Sequence, residues 1–358
     1  MFESLGADPT RFMTAASRIR FQLGQKDRFL LGIYYSGRYL RQMEAIFKEE
    51  GLPIELTRLP FVESSFNVNA RSKVGASGIW QFMPGTARAY MKVNKEVDDR
   101  NDPLVATRAA ARLLRSNYQM LGAWSLALTG YNHGPYGVKQ VVEKMGTTDI
   151  SEIVAKYSSR TFGFASQNFY ACFLAALEVE REARSIFSEP KWSPAIESGE
   201  LKAPKLMSWT LLTKMFDGDE ALTIELNPHL LARARDSRPR IPQGTRLRVP
   251  LARLKIAKSA FEGKLSPSKL IAQLKETPMP KSLDSAGSIL EAAQTVVQSR
   301  LLRSSQTAEV MLPWMIGKKK AAQNAGPTTS QTEKALFTPA VSEEAPSQRL
   351  TPFNDDAQ

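Results

Sequence analysis

The chain has 358 residues, 42% of them hydrophobic, which is enough for a sizeable core and suggests about two domains. Its 48 basic residues against 36 acidic ones leave a net charge of +12 and a pI near 9.7, a balance that favours polyanions or an anionic polymer without naming one. A single cysteine excludes an internal disulfide, two histidines form no metal-ligand cluster, and no stretch reaches the ~20 apolar residues of a membrane span, so no metal or cofactor is expected.

Residues 1–9 show no basic region followed by an apolar core, so no secretory signal is legible there. On that ground the protein is either cytoplasmic, or its sequence starts downstream of the true beginning. Residues 11–50 read as two helices. Phe12, Ala15, Ala16, Ile19 and Leu23 recur at helical spacing, and Phe29, Ile33, Leu40, Met43 and Phe47 do so again before Gly51 and Pro53. A third short helix covers Ile54 to about Ser64 and places Glu63 in its last turn. Residues 67–82 read as a loop, with Gly75, Ser77 and Gly78 allowing tight turns. Asn101-Asp102-Pro103 is a helix start, Asp capping and Pro in the first turn. Trp124–Tyr131 is an apolar segment, residues 136–145 and 149–157 are short helices, and a long helix carries Phe169, Cys172, Phe173, Ala176 and Leu177. Cys172 reads as a small buried hydrophobe. No alternating strand pattern occurs through residue 187, so this part reads as all-α.

Pro190–Pro194 reads as a linker. Residues 205–250 are a different unit, with Leu226-Asn-Pro228, Ile241-Pro242, Gly244 and Leu247-Arg-Val-Pro250. Between 231 and 258, nine basic residues face the single acid Asp236. That run is either a solvated basic face or a contact for an anionic polymer. It lacks interleaved aromatics, so no nucleic acid is expected. Amphipathic helix signal continues through 264–312. From Gly317 onward the Lys-, Ser-, Thr-, Pro- and Gln-rich composition reads as disordered.

Glu63 is the one carboxylate in an uncharged run from Leu59 to Ala70. It is either on the surface, paired with a distant cation, or kept protonated for acid chemistry. Apolar surroundings and the C-terminal end of a helix both raise a carboxyl pKa, and a carboxyl tuned towards neutrality suits a general acid.

Four features stand in order: Glu63-Ser64, Gly78-Ile-Trp-Gln-Phe82 running on to Met83-Pro-Gly-Thr86, Tyr131-Asn132 before a Gly-Pro turn, and an aromatic segment ending at Tyr170. In these the sequence resembles the family-one lytic transglycosylases of bacterial cell walls, and among them the membrane-bound lytic murein transglycosylase D branch, over about residues 15–185. The resemblance implies an all-α lysozyme-like catalytic domain. It implies cleavage of the β-1,4 bond between N-acetylmuramic acid and N-acetylglucosamine, leaving a 1,6-anhydro end. Glu63 would be the sole catalytic acid/base. Ser64, Gln81, Tyr131, Asn132 and Tyr170 would position sugar, acetamido group or the glutamate. The fourth motif departs from the family pattern of Glu-Thr followed by Tyr-Val, because this chain reads Ser159 to Tyr170 there. Trp80 is either a core anchor or a sugar platform, and His133 a structural loop residue. A hydrolytic lysozyme and a non-catalytic wall-binding protein are the alternatives.

The second unit weakly resembles a degenerate LysM repeat, a small α/β module that binds N-acetylglucosamine chains. The expected organisation is therefore a transglycosylase domain at 1–189, a LysM-like unit at 200–252, a helical region at 253–312 and a disordered tail at 313–358. Peptidoglycan is the expected partner, peripheral association with the cell envelope is possible, and the substrate implies a periplasmic or envelope location.

Overall fold

A computed structural model describes residues 26–279. The helix expected within 11–25 and everything expected beyond 279, the tail included, lie outside the described residues. The chain opens with helices α1 (Lys26–Ser36) and α2 (Leu40–Glu49). A 3-10 turn at Ile54–Arg58 runs straight into α3 (Leu59–Glu63), so Glu63 sits in the last turn, as its spacing predicts. A long loop and the short α4 (Pro84–Ala87) precede the central α5 (Pro103–Leu121). Then come α6 (Trp124–His133), α7 (Pro135–Met145), α8 (Ile150–Lys156), α9 (Phe164–Arg181) and the short α10 (Ala183–Ile186).

Helix α5 shows why these residues choose this structure. Asp102 accepts from the amides of Leu104 and Val105 at 3.0 and 3.1 Å, Pro103 occupies the first position, and Gly122 ends the helix at φ 76°. Its buried face of Ala106, Ala109, Ala110 and Leu114 shares one core with Met43 and Phe47 of α2, Leu59 and Phe61 of α3, and Phe169, Phe173 and Ala176 of α9. Each fully buried Leu or Phe there contributes about 1.5–3 kcal/mol. Cys172 lies outside this stripe and is exposed, contrary to the sequence expectation. Four residues apart on α9, Phe169 and Phe173 define the inward direction, and Cys172 sits on its flank.

A second core is built from residues 196–279 together with buried Val97. Strands β1 (Ser198–Lys202) and β2 (Arg246–Pro250) pair antiparallel, from Ser198 opposite Pro250 to Lys202 opposite Arg246. Between them run α11 (Trp209–Thr213) and α12 (Glu220–Leu226). The first strand is not evident in the sequence because Ser-Gly-Glu-Leu-Lys has one large apolar residue. Helices α13 (Leu254–Phe261) and α14 (Pro267–Glu276) follow. Ala257, Phe261 and Leu270 from these helices share one core with Leu212, Phe216, Leu222, Leu247 and Val249. The break expected at 252 therefore falls inside a continuous core.

The stretch expected as a linker is fastened at its middle. The Ser193 amide donates to the Tyr34 carbonyl at 2.8 Å, and Arg38 Nε donates to Ser193 Oγ at 2.8 Å. A Cβ on Gly37 would lie 2.5 Å from the Ser193 carbonyl oxygen, so this approach demands glycine. The units also share an ion pair between Arg38 and Glu225.

The arginines of the basic run have partners within the protein. Arg233 pairs with Glu96, Arg238 and Arg240 with Asp236, Arg246 with Glu200, Arg248 with Asp102 and Glu200, and Arg253 with Asp217. Arg235 donates to the Leu230 carbonyl and lies over the Trp209 ring. Neither a purely solvated face nor an open polymer contact describes these arginines. Arg248 and Arg253 are themselves buried.

Candidate active site

Leu59, Pro60 and Phe61 turn inward and bury, leaving Glu63 half-exposed at the end of an apolar wall. No hydrogen bond or ion pair joins its carboxyl to any described residue. The side chain meets solvent on one side, yet protein atoms crowd it enough on the others for burial to govern its titration. Burial pushes the pKa from 4.5 up to about 8, and no neighbouring charge contributes. At neutral pH this carboxyl keeps its proton and is ready to act as a general acid.

The backbone after Glu63 is unusual. Ser65 and Phe66 have φ of 51° and 56°, a region that residues with side chains rarely enter. Phe66 is held there by burial, edge-on to Phe61 with ring centroids 4.7 Å apart. Such conformations persist only where surrounding packing fixes them.

Ser64 joins this turn to the glycine-containing loop, its Oγ donating to the Ile79 carbonyl at 2.8 Å. It therefore positions the segment that carries Glu63. In the loop, Gln81 adopts φ 48° and its Nε2 donates to the carbonyls of Gly78 at 2.8 Å and Ala70 at 3.2 Å. Both amide hydrogens point back into the loop. Gly78 has φ 77°, and a Cβ there would lie 1.8 Å from the Arg100 carbonyl oxygen. Trp80 is fully buried, stacks on Phe47 with centroids 5.8 Å apart, and donates from Nε1 to Thr107 at 2.9 Å. It is a core anchor and no sugar platform.

Tyr131 reaches the same loop from α6. Its hydroxyl donates to the Trp80 carbonyl at 2.8 Å. Burial first, and then the charge of Glu63, push its pKa well above the ordinary value, so the phenol stays protonated beside the carboxyl. Asn132 follows and is exposed. Its Oδ1 accepts from Ser166 Oγ at 3.3 Å, and Ser166 Oγ also lies 3.2 Å from His133 Nδ1. Tyr170, one turn after Ser166 on α9, is half-buried against the first core, and no hydrogen bond joins it to the other five residues.

The loop is bolted from behind. Arg100, buried, donates to the carbonyls of Gly75 at 2.7 Å and Phe82 at 3.0 Å while pairing with Asp98 at 2.8 Å. Ser77 donates to Asn101 at 2.7 Å. The same segment touches the second unit. The Asp98 amide donates to the His229 carbonyl at 2.8 Å, the Leu231 amide donates to the Glu96 carbonyl at 2.9 Å, and Arg248 binds Asp102. Glu96, Asp98, Asp99 and Asp102 are thus engaged away from Glu63: Glu96 with Arg233, Asp98 with Arg100, Asp99 with the Lys92 amide, Asp102 with Arg248. Sequence reading missed Arg100, Ser166 and the Asp102–Arg248 pair, because nothing in a linear order marks residues that meet across 25 or 146 positions. Among the described residues, no cluster of His, Cys, Asp and Glu could hold a metal ion.

This geometry coincides with a family match: residues 43–154 fit the model of the transglycosylase SLT domain. Residues 43–154 are a transglycosylase SLT domain. Glu63, Ser64, Gln81, Tyr131 and Asn132 fall inside that SLT domain, whereas Ser166 and Tyr170 lie beyond it. The chain is 36% identical over 107 residues to membrane-bound lytic murein transglycosylase D of Escherichia coli, in strains K12 and O6:H1 CFT073. The match covers 29% of this chain and 24% of theirs, so the chain spans about a quarter of the length of these relatives. A protein of Alteromonas sp. (strain M-1) named for tributyltin chloride resistance is 31% identical over 109 residues, 30% of this chain and 53% of that one. No helix among the described residues is long and apolar enough to cross a membrane.

Proposed function

We propose that the protein is a peptidoglycan lytic transglycosylase of lysozyme-like catalytic fold, with Glu63 as its single acid/base. The observation that carries this reading is a carboxyl held protonated by burial, with a pKa of about 8 and no charged partner, inside an SLT domain. A hydrolytic glycosidase of the usual kind needs a second carboxylate as nucleophile or base. Each acid between residues 96 and 102 is committed to another partner.

One carboxyl suffices when the substrate brings its own nucleophile. Glu63 gives its proton to the oxygen that links N-acetylmuramic acid to N-acetylglucosamine, and the bond to the anomeric carbon breaks. The 2-acetamido oxygen supports the positive charge left there. The carboxylate then takes the proton of the 6-hydroxyl, whose oxygen bonds to the anomeric carbon of the same sugar. The acid is restored and no water is consumed. Attack within one ring gains from high effective molarity. Ser64 and Tyr131 hold the loop, Gln81 offers Oε1, Asn132 offers its amide, and Tyr170 supplies an aromatic edge.

The second unit fits this reading as a degenerate LysM-like module. Its strand–helix–helix–strand order supports that role, as does its attachment beside the catalytic loop. A polymer of the cell wall as substrate implies an envelope location. The test is to incubate purified sacculi with the protein and weigh the released muropeptides. Anhydro ends, lighter by one water than hydrolysed ends, support the reading. Hydrolysed ends would make it a lysozyme, and no release would leave a wall-binding protein.

A further inference from the structure

Asn132 carries an amide whose two ends differ in chemistry, and the chain fixes which end faces outward. Ser166 Oγ stands between Asn132 Oδ1 at 3.3 Å and His133 Nδ1 at 3.2 Å. A hydroxyl has one proton, so when it donates to Asn132 it must accept from His133. With Ser166 donating to Asn132, the His133 tautomer that completes the relay carries its proton on Nδ1, and the order runs His133 to Ser166 to Asn132. Ser166 is buried at the first turn of α9 and cannot turn to water.

The histidine is itself immobilised. Its ring meets Phe162 edge-on, with centroids 5.1 Å apart. A Cβ on Gly137 would lie 2.8 Å from its Cδ2 and 2.9 Å from its Nε2, so the glycine makes the space the ring fills. No hydrogen bond or ion pair joins Ser166 or His133 to Glu63. With Oδ1 engaged, Asn132 Nδ2 has no partner among the described residues and lies on an exposed residue next to Tyr131.

We propose that His133 and Ser166 are positioning residues that lock the Asn132 amide with its NH2 outward, as a donor for an acetamido carbonyl of the glycan chain. An unlocked asparagine would present oxygen or nitrogen equally, and half of its orientations would set two acceptors face to face. The locked one selects N-acetylated sugar. This rests on the proposed activity and deepens it.

The test compares wild type, Ser166→Ala, Ser166→Thr and His133→Phe on short glycan chains, N-acetylated or chemically N-deacetylated. On acetylated chains, Ser166→Ala raises KM about 2- to 10-fold, the worth of one neutral hydrogen bond, with kcat unchanged because the contact is made before and during reaction alike. His133→Phe keeps the aromatic packing and moves KM in the same direction. Ser166→Thr retains the hydroxyl and restores the wild-type KM. Deacetylated chains lack the acetamido oxygen that the proposed reaction uses, so binding is read on them in place of turnover, and all four proteins share one Kd. An unchanged KM for Ser166→Ala on acetylated chains, or an equal weakening on both substrates, overturns the positioning role alone. A wild type that forms no anhydro end overturns the activity and this inference together.

Discussion

The hydroxyl of Tyr131 gives its proton to the main-chain carbonyl of Trp80, at 2.8 Å, and not to Glu63. The ring packs beside Trp80 and edge-on to Phe82, with centroids 6.5 and 6.1 Å away. Tyr131 is therefore a strut between α6 and the loop that carries Gln81, and its effect on Glu63 is through that loop.

Tyr131→Phe removes the strut and keeps the ring. Stability should fall by about 0.5–1.5 kcal/mol, a hydrogen bond's worth. Turnover should drop by less than about tenfold, well short of the loss of a direct acid/base partner. Thermal unfolding and turnover on one preparation decide this. An unchanged Tm with a hundredfold slower reaction would place the hydroxyl on the substrate instead.

Glu63 makes two pH-dependent statements. As an acid it must be protonated, so its contribution to rate should decline as pH rises through about 8. For stability the folded state holds a proton between 4.5 and about 8 that the unfolded chain has released, so stability falls with rising pH across that window. Glu63→Gln cannot ionise. It should match wild type in stability below pH 4.5, exceed it increasingly up to pH 8, and lose at least the ~10²–10⁴-fold rate of a general acid. Urea unfolding at pH 4, 6 and 9 reads the first effect, and muropeptide release the second.

Arg248 and Asp102 form a buried pair between the two units. Burial alone would raise the Asp102 pKa, but Arg248, His229 and the cap amides hold it below the ordinary value. Arg248→Met should cost about 3–5 kcal/mol, since it strands a carboxylate that also caps α5. The sequence suggests a detachable sugar-binding module, whose removal would spare the cutting of short chains. With the units sharing this pair, removing residues 198–279 should instead reduce turnover on short and long chains alike. Equal turnover on a soluble tetrasaccharide would refute the coupling.

Gly78 faces the Arg100 carbonyl with no room for a methyl group. Gly78→Ala should open the loop, shorten the protection of its amides against hydrogen exchange, and lower turnover more than tenfold. The pairing of β1 with β2 should keep its protection, because its hydrogen bonds lie within the second unit. Wild-type exchange in residues 70–82 would contradict this.

Binding to sacculi should depend on salt less than a net charge of +12 suggests. The arginines of 231–258 already have internal partners, so few are left to exchange counterions with the wall. A pull-down that collapses between 50 and 300 mM salt would argue for a free basic face.

What the sequence disclosed follows from how local each feature is. The last turn of α3, the cap and proline of α5, and the Gly-Pro break after His133 are set by neighbours within four residues, and all were readable. Trp80 stayed ambiguous because an aromatic in a glycine loop serves core and cleft equally, and only Phe47 and Thr107 decide it. Ser166 was hidden in a segment that departs from the family pattern, and its partners come from α6. Strand β1 was hidden because its pairing to β2 rests on backbone bonds across 44 to 52 residues, not on side-chain alternation. The basic run misled because composition counts arginines but not their partners.

The segment 96–102 has a consequence for biosynthesis. It braces the loop on one side, and on the other is itself held by His229, Leu230, Leu231 and Arg248. Those residues leave the ribosome well over a hundred positions after the loop they secure. Non-local contacts of this reach form late. The nascent SLT domain can bury its helices early, yet the loop beside Glu63 reaches its final rigidity only when strand β2 has been made. Assembly of the candidate site is thereby timed to the last part of the fold.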